Sequence, residues 1–209
     1  MTDIENDELW NSYFYPGTEL LINKFNCKNF EKLKELDASI SFDKLLELNN
    51  HPLELNFDKE HLKAIHKFVF GDIYPFAGEY RKVNMRKKIG YFLTIVDDST
   101  IDNYLDSLFS EVNNLVKCST SKVEFAEALA KLYTGIIYCH PFREGNGRVT
   151  KEFVREFSIA KSNSEFELDW SLVDKEQLNQ YIDVAHLYPG LTGMLFLNAL
   201  VPIEKKINK

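Results

Sequence analysis

Apolar side chains recur every three or four residues along most of the chain, which is the spacing of amphipathic helices. One such stripe predicts a helix over residues 58–72, with Asp58 as its N-cap. The segment from about Lys122 to Cys139 becomes apolar on most faces near its end, which is typical of a buried helix. Further helices are predicted over residues 99–117 (capped by Ser99 or Asp98), from Asn146 to about Lys161, from an Asp174 cap through Ala185, and from Leu191 to about Leu200.

The pattern is less regular near the N-terminus. Residues 1–17 are mixed and end at the turn signal Pro16-Gly17, which predicts an arm packed on the domain. Residues 18–50 have helical spacing with an expected break near Asp37-Ala38-Ser39. Residues 165–170 are expected to form a short extended link.

The strand-forming material is confined to residues 79–96, where β-branched and aromatic residues flank a basic centre and Gly90. This pattern predicts a β-hairpin. Its edge could accept an extended peptide by strand addition, or the hairpin could be purely structural with a solvated Arg86-Lys87-Lys88 tip. The whole is therefore predicted to be an all-α helical bundle with one small β-hairpin.

The length of 209 residues suits one domain spanning 1–209, with a core at about 58–187 and a charged C-terminal tail at 203–209. The net charge of -7 argues against a nucleic-acid-binding surface. Three well-separated cysteines indicate reduced thiols, and neither a secretory signal nor a membrane span is visible. These features predict a cytoplasmic protein that binds neither nucleic acid nor membrane.

Two histidines, His61 and His66, fall in the helix predicted over 58–72. Their spacing of five differs from the i, i+4 pair that a helical metal site requires. We therefore expect both to be ordinary histidines at the surface or the edge of the core.

The densest reactive chemistry lies in the nine residues from His140 to Arg148. Pro141 disfavours helical geometry at the preceding residue, so His140 should end the buried helix, where a ring with a pKa near 6.5 can accept a proton. Gly145-Asn146-Gly147 allows a tight turn into the next helix, whose N-terminus favours an anion.

Three charged side chains lie in this stretch or just after it. Arg148 can hold phosphate oxygens, and Lys151 adds a cation one turn later on the same side. Glu144 offers the hard carboxylate oxygen that Mg²⁺ prefers when it is shared with nucleotide phosphates. Together these residues indicate transfer of a phosphate-containing group to a hydroxyl, but their chemistry alone does not choose the reaction.

The stretch His140–Arg148 resembles the Fic-domain pattern His-x-Phe-x-Asp/Glu-Gly-Asn-Gly-Arg at every position. Residues 13–18, 70–81 and 167–170 also resemble bacterial cell filamentation proteins of the Fic family, so the resemblance covers about residues 10–200. It implies an all-α Fic fold with a β-hairpin flap. It also implies transfer of AMP from ATP-Mg²⁺ to a hydroxyl side chain of a target protein, with release of pyrophosphate.

The resemblance also implies a role for each matching residue. His140 would be the general base, Glu144 the Mg²⁺ ligand, and Phe142 the anchor of the loop in the core. The phosphates would be held by Gly145, Asn146, Gly147 and Arg148. The flap that positions the target would include Met85, Arg86 and Lys87.

The sequence departs from the family pattern at Lys151, where many members have a second arginine that holds the γ-phosphate. Lysine keeps the charge but loses the bidentate fork, which predicts a weaker hold. Many members also carry an inhibitory helix with Ser/Thr-x-x-x-Glu-Gly/Asn. Here only Glu5 and Glu144 precede Gly or Asn, and neither fits that pattern. The resemblance therefore suggests inhibition by a separate small antitoxin.

Three alternatives to AMP transfer remain open from the sequence. A Doc-like protein kinase would transfer the γ-phosphate, but that subgroup replaces the second glycine of the loop, and Gly147 is retained. Transfer of another nucleotide or of phosphocholine is possible on the same fold. A catalytically silent binding module is disfavoured by the intact His140 and Glu144.

Overall fold

The computed structural model describes residues 3–53, 56–85, 92–95, 97, 99–184 and 190–203. Most of these residues are helical, which confirms the predicted fold class. The helices, in chain order, are α1 (Asp3–Asn11), α2 (Phe30–Asn50), α3 (Lys59–Phe70), α4 (Thr100–Cys118), α5 (Lys122–Cys139), α6 (Asn146–Lys161), α7 (Lys175–Val184) and α8 (Gly190–Ala199).

Side-chain caps fix where several helices begin. Asp58 accepts a hydrogen bond from the His61 amide at 3.0 Å and so caps α3, as the sequence predicted. Ser121 and Glu124 form a capping box at the start of α5, and such caps contribute about 1 kcal/mol each. Ser99 stands at the N-cap of α4 but its side chain does not cap the helix.

Helix α5 is central and packs against α4, α6 and α8. Its buried side chains include Leu129, Leu132 and Ile136, which agrees with the apolar pattern of this segment. The loop 140–145 joins the C-terminus of α5 to the N-terminus of α6. The two helix ends that carry the candidate chemistry are therefore held by the most deeply buried part of the fold.

The predicted break near Asp37 is wrong, because α2 runs through it without interruption. Asp37 and Ser41 are buried polar residues on this helix, and polar residues facing inward disrupt the apolar spacing from which helices are predicted. The helical prediction for residues 18–29 is also wrong. There the Asn23 side chain accepts from the Cys27 amide at 2.9 Å and holds a loop.

The strands lie elsewhere than predicted. β1 (Phe166–Leu168) pairs antiparallel with β2 (Leu200–Pro202), and only the extended link at 165–170 had been expected. Three-residue strands are too short for alternation to reveal them. Within the predicted hairpin, residues 86–91 and 96 lie outside the described part of the chain. Its described arms, 79–85 and 92–95, form no regular strand, although the Asn84 side chain accepts from the Ile95 amide at 2.7 Å.

The expectation for the two histidines is wrong, since both are fully buried. His61 lies with its Nε2 3.0 Å from a Glu156 carboxylate oxygen and joins α3 to α6. His66 contacts the candidate site. Among the described helices, none is both long and apolar enough to cross a membrane.

Candidate active site

His140 is the C-cap of α5, with backbone angles of φ 47° and ψ 58° in the left-handed region. This confirms that Pro141 ends the helix at His140. The imidazole stacks on the Phe92 ring, with centroids 3.8 Å apart and planes at 23°. Its Nδ1 atom is shielded from solvent. The ring is therefore held between a helix end and the described segment 92–95.

The loop that follows is anchored in the core through Phe142 and Asn146. The Phe142 side chain is 1% exposed and stacks on His66, with centroids 3.9 Å apart. The Asn146 side chain accepts from the Phe142 amide at 2.9 Å and donates to the Phe142 carbonyl at 2.7 Å. The side-chain amide of Asn146 thus fixes the shape of the loop.

The structure requires glycine at only one of the two glycine positions of the loop. Gly145 has φ 78°, and a Cβ there would lie 2.3 Å from the Phe70 ring. Gly147 has a conformation open to any residue, and a Cβ there would meet no atom within 4 Å. Packing therefore requires glycine at 145, whereas at 147 glycine leaves space in front of the helix N-terminus.

Glu144 extends from the same loop with a side chain that is 43% exposed. One of its oxygens accepts from the Gly145 amide at 3.0 Å, and Arg148 Nη2 lies 3.9 Å away. The Glu144 main-chain carbonyl lies 3.0 Å from Nε2 of His66. The Gly78 amide donates to Nδ1 of that ring, so Nε2 carries the proton and donates to Glu144. Burial lowers the pKa of His66 to about 4, which keeps the ring neutral.

Arg148, in the first turn of α6, is already engaged by α2. Its Nη1 binds the Asp37 carboxylate and donates to the Ser41 hydroxyl at 2.8 Å. The guanidinium also lies over the Phe70 ring, 4.6 Å from its centroid. These contacts fix the orientation of Arg148 while leaving about a third of its side chain exposed.

Lys151 lies one turn further along α6, as predicted. Its ammonium sits 5.2 Å from the centroid of the Trp170 ring, and Trp170 donates to the Lys151 carbonyl at 2.9 Å. Burial lowers the pKa of Lys151, and the charge of Lys175 lowers it further. An anion at this position would relieve both effects.

The candidate residues line one open cavity of about 780 Å³, within the range of small-molecule sites. His140, Lys151, Met85 and the motif residues 144–148 all border it. Arg86 and Lys87 lie outside the described residues. Another part of the wall comes from α5 and α7, which sequence reasoning did not connect with the site. Its members are Tyr133, Ile137, Lys175, Leu178, Asn179, Ile182 and Asp183.

The family model of the Fic/DOC family matches residues 56–158. The matched segment includes the whole stretch from His140 to Arg148. The chain contains a Fic domain of the Fic/DOC family. Its curated relatives include the protein adenylyltransferase VbhT of Bartonella schoenbuchensis, 26% identical over 168 residues, and the probable protein adenylyltransferase Fic of Escherichia coli, 27% identical over 168 residues.

The extent of these matches differs between the relatives. Both alignments cover 80% of this chain, but they cover 34% of VbhT and 80% of the E. coli protein. The chain therefore spans about a third of the length of VbhT.

Solved structures of Fic domains have the same fold. The N-terminal Fic domain of a VirB-translocated Bep effector from Bartonella quintana superposes with a TM-score of 0.79 at 27% identity, covering 93% of this chain and 94% of that one. BepC of Bartonella tribocorum, with bound AMPPNP, gives a TM-score of 0.78 at 26% identity, covering 92% of this chain and 97% of that one. BepC in that structure thus holds an analogue of ATP.

The Fic site of this chain fits Mg²⁺ that arrives with a nucleotide. The described residues contain no cluster of three or more acidic, histidine or cysteine side chains that would form a dedicated metal site. Glu144 offers a half-exposed carboxylate beside Arg148, and Asp183 of α7 is the other carboxylate that borders the cavity. One carboxylate combined with substrate phosphates and water is a common Mg²⁺ environment.

Several residues that shape the Fic site were missed from the sequence. Asp37 and Ser41 orient Arg148, His66 holds the Glu144 carbonyl, and Arg81 binds the main chain at His140. Each lies more than fifty residues from the motif residue that it contacts. A polar residue on the buried face of α2 was the one signal available, and Asp37 was instead interpreted as a helix break.

Proposed function

We propose that this chain transfers AMP from ATP to a hydroxyl side chain of a target protein and releases pyrophosphate. The observation that supports this most is the common cavity of His140, Glu144 and Arg148. A proton acceptor and an anion site then face each other across a space of nucleotide size. The adenylyltransferase relatives at 26–27% identity support the same reaction class.

In the proposed reaction, the hydroxyl oxygen of the target attacks the α-phosphorus of ATP. His140 accepts the hydroxyl proton, and Nε2 is the expected acceptor because Nδ1 is shielded from solvent. The bond between the α-phosphorus and the bridging oxygen breaks, and that oxygen leaves with pyrophosphate. The phosphates are oriented by Arg148, by Lys151 and by the main-chain amides at the start of α6.

Glu144 is the residue proposed to hold Mg²⁺, which when bound neutralises charge on the phosphates. Met85, Arg86 and Lys87 are proposed to place the target beside His140. The expected partners are therefore ATP and a hydroxyl-bearing protein.

Gly147 distinguishes AMP transfer from phosphate transfer. The space in front of this residue is open, so the fold itself does not require glycine. Its retention fits a nucleotide whose phosphates approach the main chain closely. A Doc-like kinase would bind ATP in the reverse direction with a bulky cation at this position.

Parallel reactions with ATP labelled at the α- or the γ-phosphate test the proposal. The chain is incubated with Mg²⁺ and a bacterial lysate as the source of acceptor proteins. Label that reaches protein only from the α-position supports AMP transfer. Label only from the γ-position would establish a kinase, and no label from either would leave a binding module.

A separate antitoxin is the proposed inhibitor. Four cationic side chains, Arg143, Arg148, Lys151 and Lys175, border the cavity together with the carboxylates of Glu144 and Asp183, so a partner helix bearing a carboxylate would have a complementary anchor among the cations. We expect a small protein encoded beside this chain to suppress its self-modification with ATP. Strong self-modification that such a protein leaves unchanged would contradict the proposal.

A further inference from the structure

The Arg81 side chain is buried, with 2% of the residue exposed, and it donates to four main-chain carbonyls. Burial lowers the pKa of this guanidinium. A buried cation is costly unless its donors are satisfied, so the four bonds make this position highly specific. The side chain thus ties together several separate main-chain segments.

One part of this network binds the turn that carries His140, the proposed general base. Arg81 donates through Nε to the His140 carbonyl at 2.7 Å and through Nη2 to the Cys139 carbonyl at 3.1 Å. The Arg81 amide donates to the Pro141 carbonyl at 2.8 Å. The last carbonyls of a helix lack partners within it and carry partial negative charge, which favours a cation there.

The other part of the network holds both arms of the flap. Arg81 donates through Nη1 to the Val83 carbonyl at 2.5 Å and through Nη2 to the Leu93 carbonyl at 2.6 Å. The Leu93 amide in turn donates to the Tyr138 carbonyl of α5 at 2.9 Å. Phe92, next to Leu93, stacks on the His140 ring. The Arg81 guanidinium therefore fixes the position of both flap arms relative to the His140 ring.

We infer that Arg81 is a positioning residue that fixes the distance between His140 and a target hydroxyl presented by the flap. This inference rests on the proposed function. A misplacement of about 1 Å can lower a rate by about 100-fold. The loop that faces the phosphates is fixed independently, by the two bonds between Asn146 and Phe142. Loss of Arg81 should therefore affect turnover far more than ATP binding.

Two substitutions separate position from charge. Arg81→Lys keeps a cation at the end of α5 but cannot reach the turn and both flap arms together. Arg81→Met removes the donors and keeps the apolar volume. Arg155→Lys is the matched control, since Arg155 is a partly buried arginine of α6 bonded to Glu152 and Glu167 at 2.6 and 3.0 Å and does not border the cavity.

The experiment measures transfer of label from α-labelled ATP to lysate proteins at varied ATP concentrations, at a temperature below the Tm of every variant. For Arg81→Lys we expect a maximal rate lowered by about 100-fold, with a KM for ATP within about twofold of wild type. Arg155→Lys should lower the Tm but leave the maximal rate within about twofold. Arg81→Met should behave as Arg81→Lys if it folds.

Each other outcome has a definite meaning. Unchanged turnover in Arg81→Lys overturns the inference while the proposed function stands. Loss of folding or of ATP binding in both Arg81 variants also overturns it, because Arg81 would then be structural. An equal loss of rate in Arg155→Lys has the same consequence. If wild type transfers no label from the α-phosphate, the proposed function fails and the inference fails with it.

Discussion

The Asp37 carboxylate of α2 binds the Arg148 guanidinium at the start of α6, across 111 residues of sequence. The same carboxylate accepts a hydrogen bond from the Tyr74 hydroxyl at 2.7 Å. One edge of the arginine is thus fixed by the fold. The remaining donors are oriented before a phosphate arrives, and preorganised charge of this kind binds at lower entropic cost.

Removing Asp37 should weaken ATP binding without abolishing it. In Asp37→Ala, Arg148 loses its orientation, and we expect the Kd for ATP to rise by about tenfold, as for the loss of one charge-assisted bond. Isothermal titration with ATP and Mg²⁺ measures this. Asp43→Ala is the control, because Asp43 is exposed on the same helix. Tighter ATP binding in Asp37→Ala would show instead that Asp37 competes with the phosphates.

Alanine substitutions at the two glycines of the motif should affect different properties, namely stability at Gly145 and ATP affinity at Gly147. Gly145→Ala combines a positive φ with a clash against Phe70, and each effect costs about 1–3 kcal/mol of unfolding free energy. Gly147→Ala has open space and sits in a helix, so stability should stay within about 1 kcal/mol of wild type. Its ATP affinity should nevertheless fall.

Urea unfolding and ATP titration of both glycine variants check this contrast. Each variant serves as the control for the other. A Gly147→Ala protein that binds ATP as wild type does would remove the structural reason for preferring AMP transfer over a kinase.

His66 should make stability depend on pH. Its pKa is lowered from 6.5 to about 4, mainly by burial and further by the charges of Arg148 and Lys67. The unfolded chain binds more protons between these values, so stability is complete above about pH 6.5 and falls as pH decreases towards 4. The full loss from this residue is on the order of 3 kcal/mol.

Urea midpoints between pH 4.5 and 7 measure this loss. His66→Asn should be less stable at pH 7 but show a flatter pH dependence than wild type. His51→Asn should keep the wild-type slope, because His51 is exposed at the end of α2. Parallel slopes for His66→Asn and wild type would mean that His66 does not couple protonation to folding.

Lys151 should contribute to ATP binding with a single, poorly directed charge. Lys151→Ala should raise the KM for ATP by about tenfold, whereas Lys151→Arg should lower it because a guanidinium can bind two phosphate oxygens. Since burial and Lys175 lower the pKa of Lys151, ATP affinity should also decline earlier on the alkaline side in wild type than in Lys151→Arg.

Initial rates at varied ATP concentrations test the role of Lys151. Lys161→Ala is the control, as Lys161 lies at the far end of α6 beside Phe57 and Phe157. If both Lys151 variants leave KM and kcat unchanged, this lysine does not contact the nucleotide.

Local signals predicted the long helices and the motif loop. The cap at Asp58, the proline after His140 and the apolar faces of α5 and α6 are all readable within one helix. They were sufficient to place the candidate base at one helix end and the candidate anion site at the start of the next helix.

Features that depend on distant contacts were not predictable in this way. Asp37 was interpreted as a helix break because it is polar at a position that faces inward. Its partner Arg148, which explains the buried charge, lies 111 residues away. His66 is buried because Gly78 and Glu144 satisfy both ring nitrogens, and neither partner is visible in the spacing of α3. The pairing of β1 with β2 joins segments more than thirty residues apart.

The central claim is that His140 takes the hydroxyl proton while this site transfers AMP. Intact-mass spectrometry of the chain and of the lysate proteins that it modifies, after incubation with ATP and Mg²⁺, tests it most directly. We predict a gain of one AMP on the acceptor with wild type and none with His140→Ala, although ATP still binds to that variant. A gain of phosphate, or an AMP adduct that persists in His140→Ala, would contradict the claim.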